Sequence, residues 1–518
     1  MRRYHGQVSD EQPLTRRAAR EAKGSARAAQ APATEVLDAS NGSEAKPEKA
    51  KRPGLAAVIA RHPNAWMFSA LGVIFLLLGT GAVFTGAAFG SSAPVEVVET
   101  STPTPEPSRV IPIDPASASA LRTCTIDAAT KDPRLLTFEG SAINVTTGEV
   151  LFDRNAETPA PPASGLKVLT AAAALVTIGP NFRMTTRVFE GSDPGTIVLV
   201  GGGDPTLSAL PSGVESVYAG APKLVDLAAQ TKTAWEASHP GEPITNVILD
   251  ANYWNPADKW DSTWQRSEQT IGYHAEVTAL MVDGDRANPQ KATSPRSTDP
   301  VGRAGAAFVA ALDLGTPVDV TKGNATPGMP KLAEVSSQPI STLITQMLPS
   351  SDNTLAETIA RVVSKESGGG GTALSLNSII PGALVNLGLN TTGLFVKDGS
   401  GLSDKNAVPP LLMAQLMVKV STGAQGLSVI KSSLPIAGKT GTLAGRFTGD
   451  NAVARGQIVA KTGWINSSRT LSGWVTASDG AVLSFALYAL GPVKSDAMEA
   501  LDTVATGLYN CGNNLSNN

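Results

Sequence analysis

The chain has 518 residues, 42% of them hydrophobic and 17% charged, with a formal net charge of −3 at pH 7. That length allows two or three domains with sizeable cores, and so small a negative charge gives no reason to expect a polyanionic partner such as nucleic acid. The four histidines form no His-Glu-x-x-His pair and no Gly-x-Ser-x-Gly elbow is present, which disfavours histidine-based catalysis; no metal and no cofactor is expected.

Residues 1–61 are polar and rich in Ala, Lys, Arg and Glu, including Arg16-Arg17 and Lys51-Arg52. Such a composition cannot bury enough apolar surface to fold alone and predicts a disordered basic tail. Within residues 62–90, Ala65 to Phe89 runs without a charge. At 1.5 Å per residue, roughly 20 apolar residues cross the hydrocarbon core of a bilayer, so one transmembrane helix is predicted. The alternatives are a buried core helix and a cleaved leader with Ala88-Phe89-Gly90 as its small-residue site, but the polar region before the span is far longer than a leader's n-region. Basic residues ahead of the span keep the N-terminus in the cytoplasm and put the rest outside the cell membrane. Residues 91–118, proline-rich from Ser101 to Ser108, read as an extended linker.

Cys124 and Cys511 bracket the remainder almost end to end. In an oxidising compartment such a pair is expected to bridge, two unpaired buried thiols being the alternative. Leu136 to Val145 and Val150 to Asp153, parted by Thr146-Thr147-Gly148-Glu149, predict a β-hairpin. Pro161-Pro162 then favour extended chain, and the alanines from Ala171 favour a helix that Gly179-Pro180 stops. Ser164 and Lys167 stand at the start of this helix, three residues apart and so on one face. A serine needs a base to attack a carbonyl at neutral pH, and the Lys167 amine is in reach. The N–H groups at a helix N-terminus also favour developing negative charge. Alone the signal is weak, because a capped helix with a solvated lysine has the same spelling.

Residues 185–296 change texture, with short strands at Thr196–Val200 and Ile244–Asp250, glycine turns, and Trp235, Trp254, Trp260 and Trp264. An inserted strand-rich domain is predicted. In it, Asp283, Asp285 and Arg286 read as a turn with solvated charges, contact with a bound peptide being the alternative. From 297 the chain returns to alanine-rich helices. Ser351-Asp352-Asn353 then leads into another helix, Asp398 to Ser403 forms a tight turn, and Gln457 to Gly463 reads as an apolar strand. Arg469–Thr476 and Ala481–Ala489 read as a strand pair and Ser495–Leu508 as a last helix. Helices on an antiparallel sheet follow, an α+β architecture over 119–184 and 297–518.

Ser164-x-x-Lys167, Ser351-Asp352-Asn353 and Lys461-Thr462-Gly463, in that order, are similar to the three motifs of penicillin-binding proteins and serine β-lactamases. With Gly203 to Leu207, Val277 to Asp283 and Asp398 to Ser403, the chain most resembles the D-alanyl-D-alanine carboxypeptidases of peptidase family S13, the class C low-molecular-weight penicillin-binding proteins. The resemblance covers roughly Leu136 to Tyr509. It implies a penicillin-binding-protein-like α+β domain carrying one inserted domain. It implies a serine-type D-Ala-D-Ala carboxypeptidase, or a D,D-endopeptidase besides, acting on peptidoglycan stem peptides with β-lactam antibiotics as covalent inhibitors. In this pattern Ser164 is the nucleophile, Lys167 its base, Ser351 the proton relay and Asn353 the group that holds Lys167. Lys461 and Thr462 meet the substrate carboxylate. Gly463 completes that triplet, and the Trp464 N–H joins the Ser164 N–H in an oxyanion hole.

A second triplet, Lys439-Thr440-Gly441, competes with Lys461-Thr462-Gly463. Only the latter ends an apolar strand, so Lys461 is favoured. Trp464 departs from the pattern, which usually has a hydroxyl there. It keeps open a catalytically weak or inactive wall-binding scaffold as the alternative; a serine β-lactamase is a further one, although no base for a hydrolytic water is evident.

Overall fold

The computed structural model describes residues 121–517. The expected tail, membrane segment and linker, residues 1–118, lie outside the described residues. Among the described residues, no helix is long and apolar enough to cross a membrane.

The hairpin forms as predicted, from β1 (Thr137–Asn144) and β2 (Val150–Arg154). Its turn is tied by the Asn144 side chain, which accepts from the N–H groups of Thr146 and Thr147 at 2.9 and 3.0 Å. The helix α1 (Leu166–Thr177) follows, buried from Leu166 through Leu175. A helix so enclosed needs small side chains to let its neighbours approach, which its four alanines provide.

The chain then builds a second sheet before returning. Strands β3 (Thr185–Glu190) and β4 (Thr196–Val200), helix α2 (Leu224–Ser238), β5 (Asn246–Asp250), helix α3 (Pro300–Leu312), β6 (Asp319–Lys322) and β7 (Lys331–Ser336) follow in order. They assemble as β6-β5-β4-β3-β7. Strands β4, β5 and β6 are mutually parallel, and each parallel step is bridged by a helix, as parallel pairing demands. The expected boundary at 296 therefore moves. Val301, Ala304, Phe308 and Leu312 of α3 pack into the core of the second sheet with Val247 and Leu249, so the insert extends to Ser336. Alanine-rich periodicity predicts a helix but not which core its apolar face joins. The insert is also mixed α/β rather than simply strand-rich.

Helices α4 (Ile340–Ser350), α5 (Asn353–Ser364), α6 (Leu376–Asn386) and α7 (Pro410–Thr422) then join α1 in one core. Strands β8 (Ile458–Ile465), β9 (Ser468–Thr476) and β10 (Val482–Leu490) return to the hairpin, giving an antiparallel sheet of order β2-β1-β10-β9-β8. Alternation decides what each face meets. Phe485, Leu487 and Ala489 pack with the last helix α8 (Ala497–Cys511), whereas Ala486 and Tyr488 join the core of α1 and α7. Cys124 and Cys511 are disulfide-bonded with Cα atoms 5.4 Å apart, and the Cys124 carbonyl accepts from Ser516 N–H at 2.7 Å. The two ends of the described chain are thus fastened together.

Candidate active site

Ser164 lies in a single 3-10 turn, Ala163–Gly165, that runs directly into α1. The turn requires a positive φ of 47° at Ala163, a conformation costing a non-glycine residue about 1 kcal/mol or more, so neighbours must hold it. They do so closely. Thr470 Oγ1 of β9 donates to the Pro162 carbonyl at 2.7 Å. A Cβ at Gly463 would collide with Thr470 Oγ1 and the Pro162 carbonyl, and one at Gly401 with the Ala163 carbonyl. Glycine at these two positions lets β8 and the 398–403 turn close on the serine from either side.

Lys167 is fully buried. Its Nζ lies 3.0 Å from Ser164 Oγ, 2.7 Å from Asn353 Oδ1 and 2.7 Å from the Ser400 carbonyl. A neutral amine has two N–H donors and one lone pair. With the two carbonyl oxygens accepting those donors, the uncharged form would present its lone pair to the serine hydroxyl. Asn353 Nδ2 donates to the Tyr273 carbonyl at 3.3 Å, fixing the amide with its oxygen towards Lys167.

Ser351 ends α4 in a left-handed conformation, φ 57°. Asp352 caps α5 by accepting from Leu355 N–H at 2.9 Å. Lys461, also fully buried, donates from Nζ to Ser351 Oγ and to the Thr462 carbonyl, both at 2.9 Å. Burial, and then the repulsion of Lys167, push the Lys461 ammonium well below its ordinary range. The repulsion between the two buried amines thus opposes the charged form of Lys461.

Lys461 belongs to the outermost strand of the sheet. The first half of that edge is covered, with Ala460 N–H donating to the Pro435 carbonyl and Ala437 N–H to the Ile458 carbonyl, both at 2.9 Å. Strand alternation directs the Thr462 and Trp464 N–H groups to the same edge as that of Ala460, and there the strand passes the serine turn. The Trp464 ring packs beneath the Arg469 guanidinium at 4.7 Å. Lys439 of the competing triplet is exposed.

Two supports escaped the reading of the sequence. The first is Arg286. Asp283, Asp285 and Arg286 are buried rather than solvated, with 2%, 1% and 3% exposure. Arg286 Nη2 donates to Asp352 Oδ2 at 2.7 Å, and Tyr218 O–H reaches the same oxygen at 3.0 Å. Burial alone would raise the Asp352 carboxyl, but Arg286 and Arg296 hold it down at about 2. An arginine straight after Asp-Gly-Asp and a run of apolar residues was the available signal, since a charge beside a buried segment needs a counter-charge. The second is Glu357, whose carboxylate accepts from Gly399 N–H at 3.0 Å and Ser400 N–H at 2.7 Å. It fixes Ser400, the residue whose carbonyl binds Lys167. Burial and the adjacent Asp398 push its carboxyl up to about 7. Asp398 makes the tight turn expected of it, accepting from Gly401 and Ser403 N–H at 2.7 and 2.6 Å.

The sequence matches the D-Ala-D-Ala carboxypeptidase 3 (S13) family over residues 123–295 and 284–508. The chain belongs to this family. It is 34% identical to carboxypeptidase DacB of Mycolicibacterium smegmatis over 87% of this chain and 99% of that protein. It is 29% identical to the D-alanyl-D-alanine carboxypeptidase of an Actinomadura species, over 74% of this chain and 83% of the relative. In fold it resembles penicillin binding protein 4 (dacB) of Haemophilus influenzae, with a TM-score of 0.60 at 20% identity, covering 72% of this chain and 95% of the other.

Proposed function

We propose that this S13 protein is a serine-type D-Ala-D-Ala carboxypeptidase of the cell wall, acting also as a D,D-endopeptidase on cross-links and acylated by β-lactams. The observation that carries the reading is Lys167 Nζ, 3.0 Å from Ser164 Oγ with both donors engaged elsewhere. Ser164 Oγ attacks the carbonyl of the penultimate D-alanine as Lys167 takes its proton. The peptide C–N bond then breaks, the proton passes through Ser351 to the leaving amine, and the terminal D-alanine departs. Water cleaves the Ser164 ester, releasing the shortened stem and restoring the hydroxyl. The N–H groups of Ser164 and Trp464 stabilise the oxyanion, where one donor is typically worth ~100-fold or more in rate.

Lys461 stands where a substrate's terminal carboxylate can supply the counter-charge its burial lacks, so binding favours the charged form of Lys461, while Lys167 acts as the base. The apolar segment within 62–90 serves as a membrane anchor, with the linker and catalytic region on the outer side. The test is covalent labelling with fluorescent penicillin. Stable labelling should be abolished by Ser164→Ala and reduced at least tenfold by Lys461→Ala but not by Lys439→Ala. Labelling that survives Ser164→Ala refutes the nucleophile, and rapid loss of label would mark a β-lactamase. Release of the uncut protein from membranes by salt alone would refute the anchor.

A further inference from the structure

The second triplet is not idle, although its lysine is exposed. Lys439-Thr440-Gly441-Thr442 belongs to a loop braced from within, where Thr440 Oγ1 accepts from Ile436 N–H at 2.9 Å and Gly438 N–H donates to the Leu443 carbonyl at 2.9 Å. Leu443 is fully buried and anchors the loop in the core beneath β8. At Gly441, φ is 55° and a Cβ would lie 3.0 Å from the Pro349 carbonyl oxygen and from Pro435 Cγ. The loop is thus pressed against the end of α4, the end that carries Ser351. Held in this way, Thr442 Oγ1 comes to 2.8 Å from Thr462 Oγ1, in an exposed position.

This contact joins a set of donors. Two hydroxyls in mutual contact use one proton between them and leave the other to give. Lys461 Nζ lies on the carbonyl of the same Thr462, at 2.9 Å. The Lys461 amine and two hydroxyls at this strand edge fit a carboxylate, which accepts several hydrogen bonds and brings the counter-charge that favours a protonated Lys461. Two residues further along the strand, Trp464 offers no hydroxyl and its ring is engaged by Arg469.

We propose that Thr442 is a substrate-binding residue, its hydroxyl and that of Thr462 together gripping the terminal carboxylate of the peptide or of a β-lactam. This rests on Ser164 being the nucleophile at this edge. On binding, the hydroxyl-to-hydroxyl bond opens, both protons turn to the carboxylate oxygens, and no covalent bond changes. The loop bearing the second triplet thereby sets the requirement for a free C-terminus, which separates a carboxypeptidase substrate from a blocked peptide.

The test compares two activated substrates on the full-length protein, benzoyl-D-alanyl-thioglycolate and its methyl ester, which differ only in the carboxylate. A hydrogen bond to a charged group corresponds to about ten- to a hundredfold in binding. Thr442→Val should lower kcat/KM for the free acid by that factor and for the ester by less than about threefold, while Thr442→Ser keeps the wild-type preference. Equal loss on both substrates would reduce Thr442 to a packing role, and no loss on either would remove it from the site; each overturns the proposal. Ser164→Ala must abolish turnover of both thioesters. If it does not, the assignment of the nucleophile fails independently of Thr442.

Discussion

Replacing Arg286 with Met keeps the length of the side chain and removes its charge, leaving Asp352 with a buried carboxylate and no cation bonded to it. The pair is only 3% and 7% exposed at its side chains, with Nη2 and Oδ2 2.7 Å apart. What remains to the carboxylate is the Tyr218 hydroxyl at 3.0 Å and the Leu355 N–H at 2.9 Å. Breaking a buried pair from one side typically costs about 3–5 kcal/mol, most of it the penalty of the stranded charge. The Asp352 carboxyl should then rise from about 2 towards or above its ordinary 3.8. In the wild type this depressed value stabilises the fold above pH 3.8, and the contribution, on the order of 2 kcal/mol, is lost as pH falls towards 2. Urea unfolding at pH 7 measures the loss. The double variant Arg286→Met with Asp352→Asn removes the stranded charge as well, and should recover about 2 kcal/mol of it. Because Ser351 is the next residue, penicillin acylation of the single variant should slow about tenfold or more. If the single variant unfolds within about 0.5 kcal/mol of wild type, and the double variant gains nothing on it, the buried-charge argument is wrong.

Glu357→Gln should flatten the stability profile between pH 4.5 and 7. The folded state keeps a proton there that the unfolded state releases, so wild-type stability declines as pH rises through this window, on the order of 3 kcal/mol in total. Unfolding free energies at pH 5 and 8 check it, and an unchanged difference counts against it. His274 is fully buried, neither ring nitrogen has a hydrogen-bond partner, and burial holds its pKa at about 3. The unfolded chain therefore gains a proton below pH 6.5 that the folded chain refuses, and stability falls with pH from 6.5 towards 3. His274→Phe should remove that part of the acid limb of a thermal-melt series. The disulfide spans 387 residues, for which the chain-entropy argument allows on the order of 5 kcal/mol. Cys124→Ser with Cys511→Ser should lower the Tm by several degrees while leaving 25 °C acylation rates within about twofold.

What the sequence made legible was local or periodic. Ser164 and Lys167 are one helical turn apart, and the helix that unites them is encoded by the residues between and after them. The choice between Lys461 and Lys439 could be argued from the apolar strand that only the Lys461 triplet ends, and the structure buries Lys461 and exposes Lys439. What stayed hidden depended on pairing across long separations. Arg286 meets Asp352 from 66 residues away, and no spacing rule distinguishes it from a solvated arginine. Thr442 reaches Thr462 across a 20-residue connection that composition presents only as a glycine-rich loop. The end of the insert at Ser336 was illegible for a related reason: a helix's own pattern marks its apolar face without naming the partner.

The bond between Cys124 and Cys511 closes nearly the whole of the described chain into a covalent ring. One cut by a protease at any exposed loop between them would therefore not release a fragment. The nicked protein would migrate as a single species until a reductant is added, and its halves, kept at high mutual concentration, could re-form the cleft after transient unfolding. Such damage tolerance lengthens an enzyme's working life without any added contact.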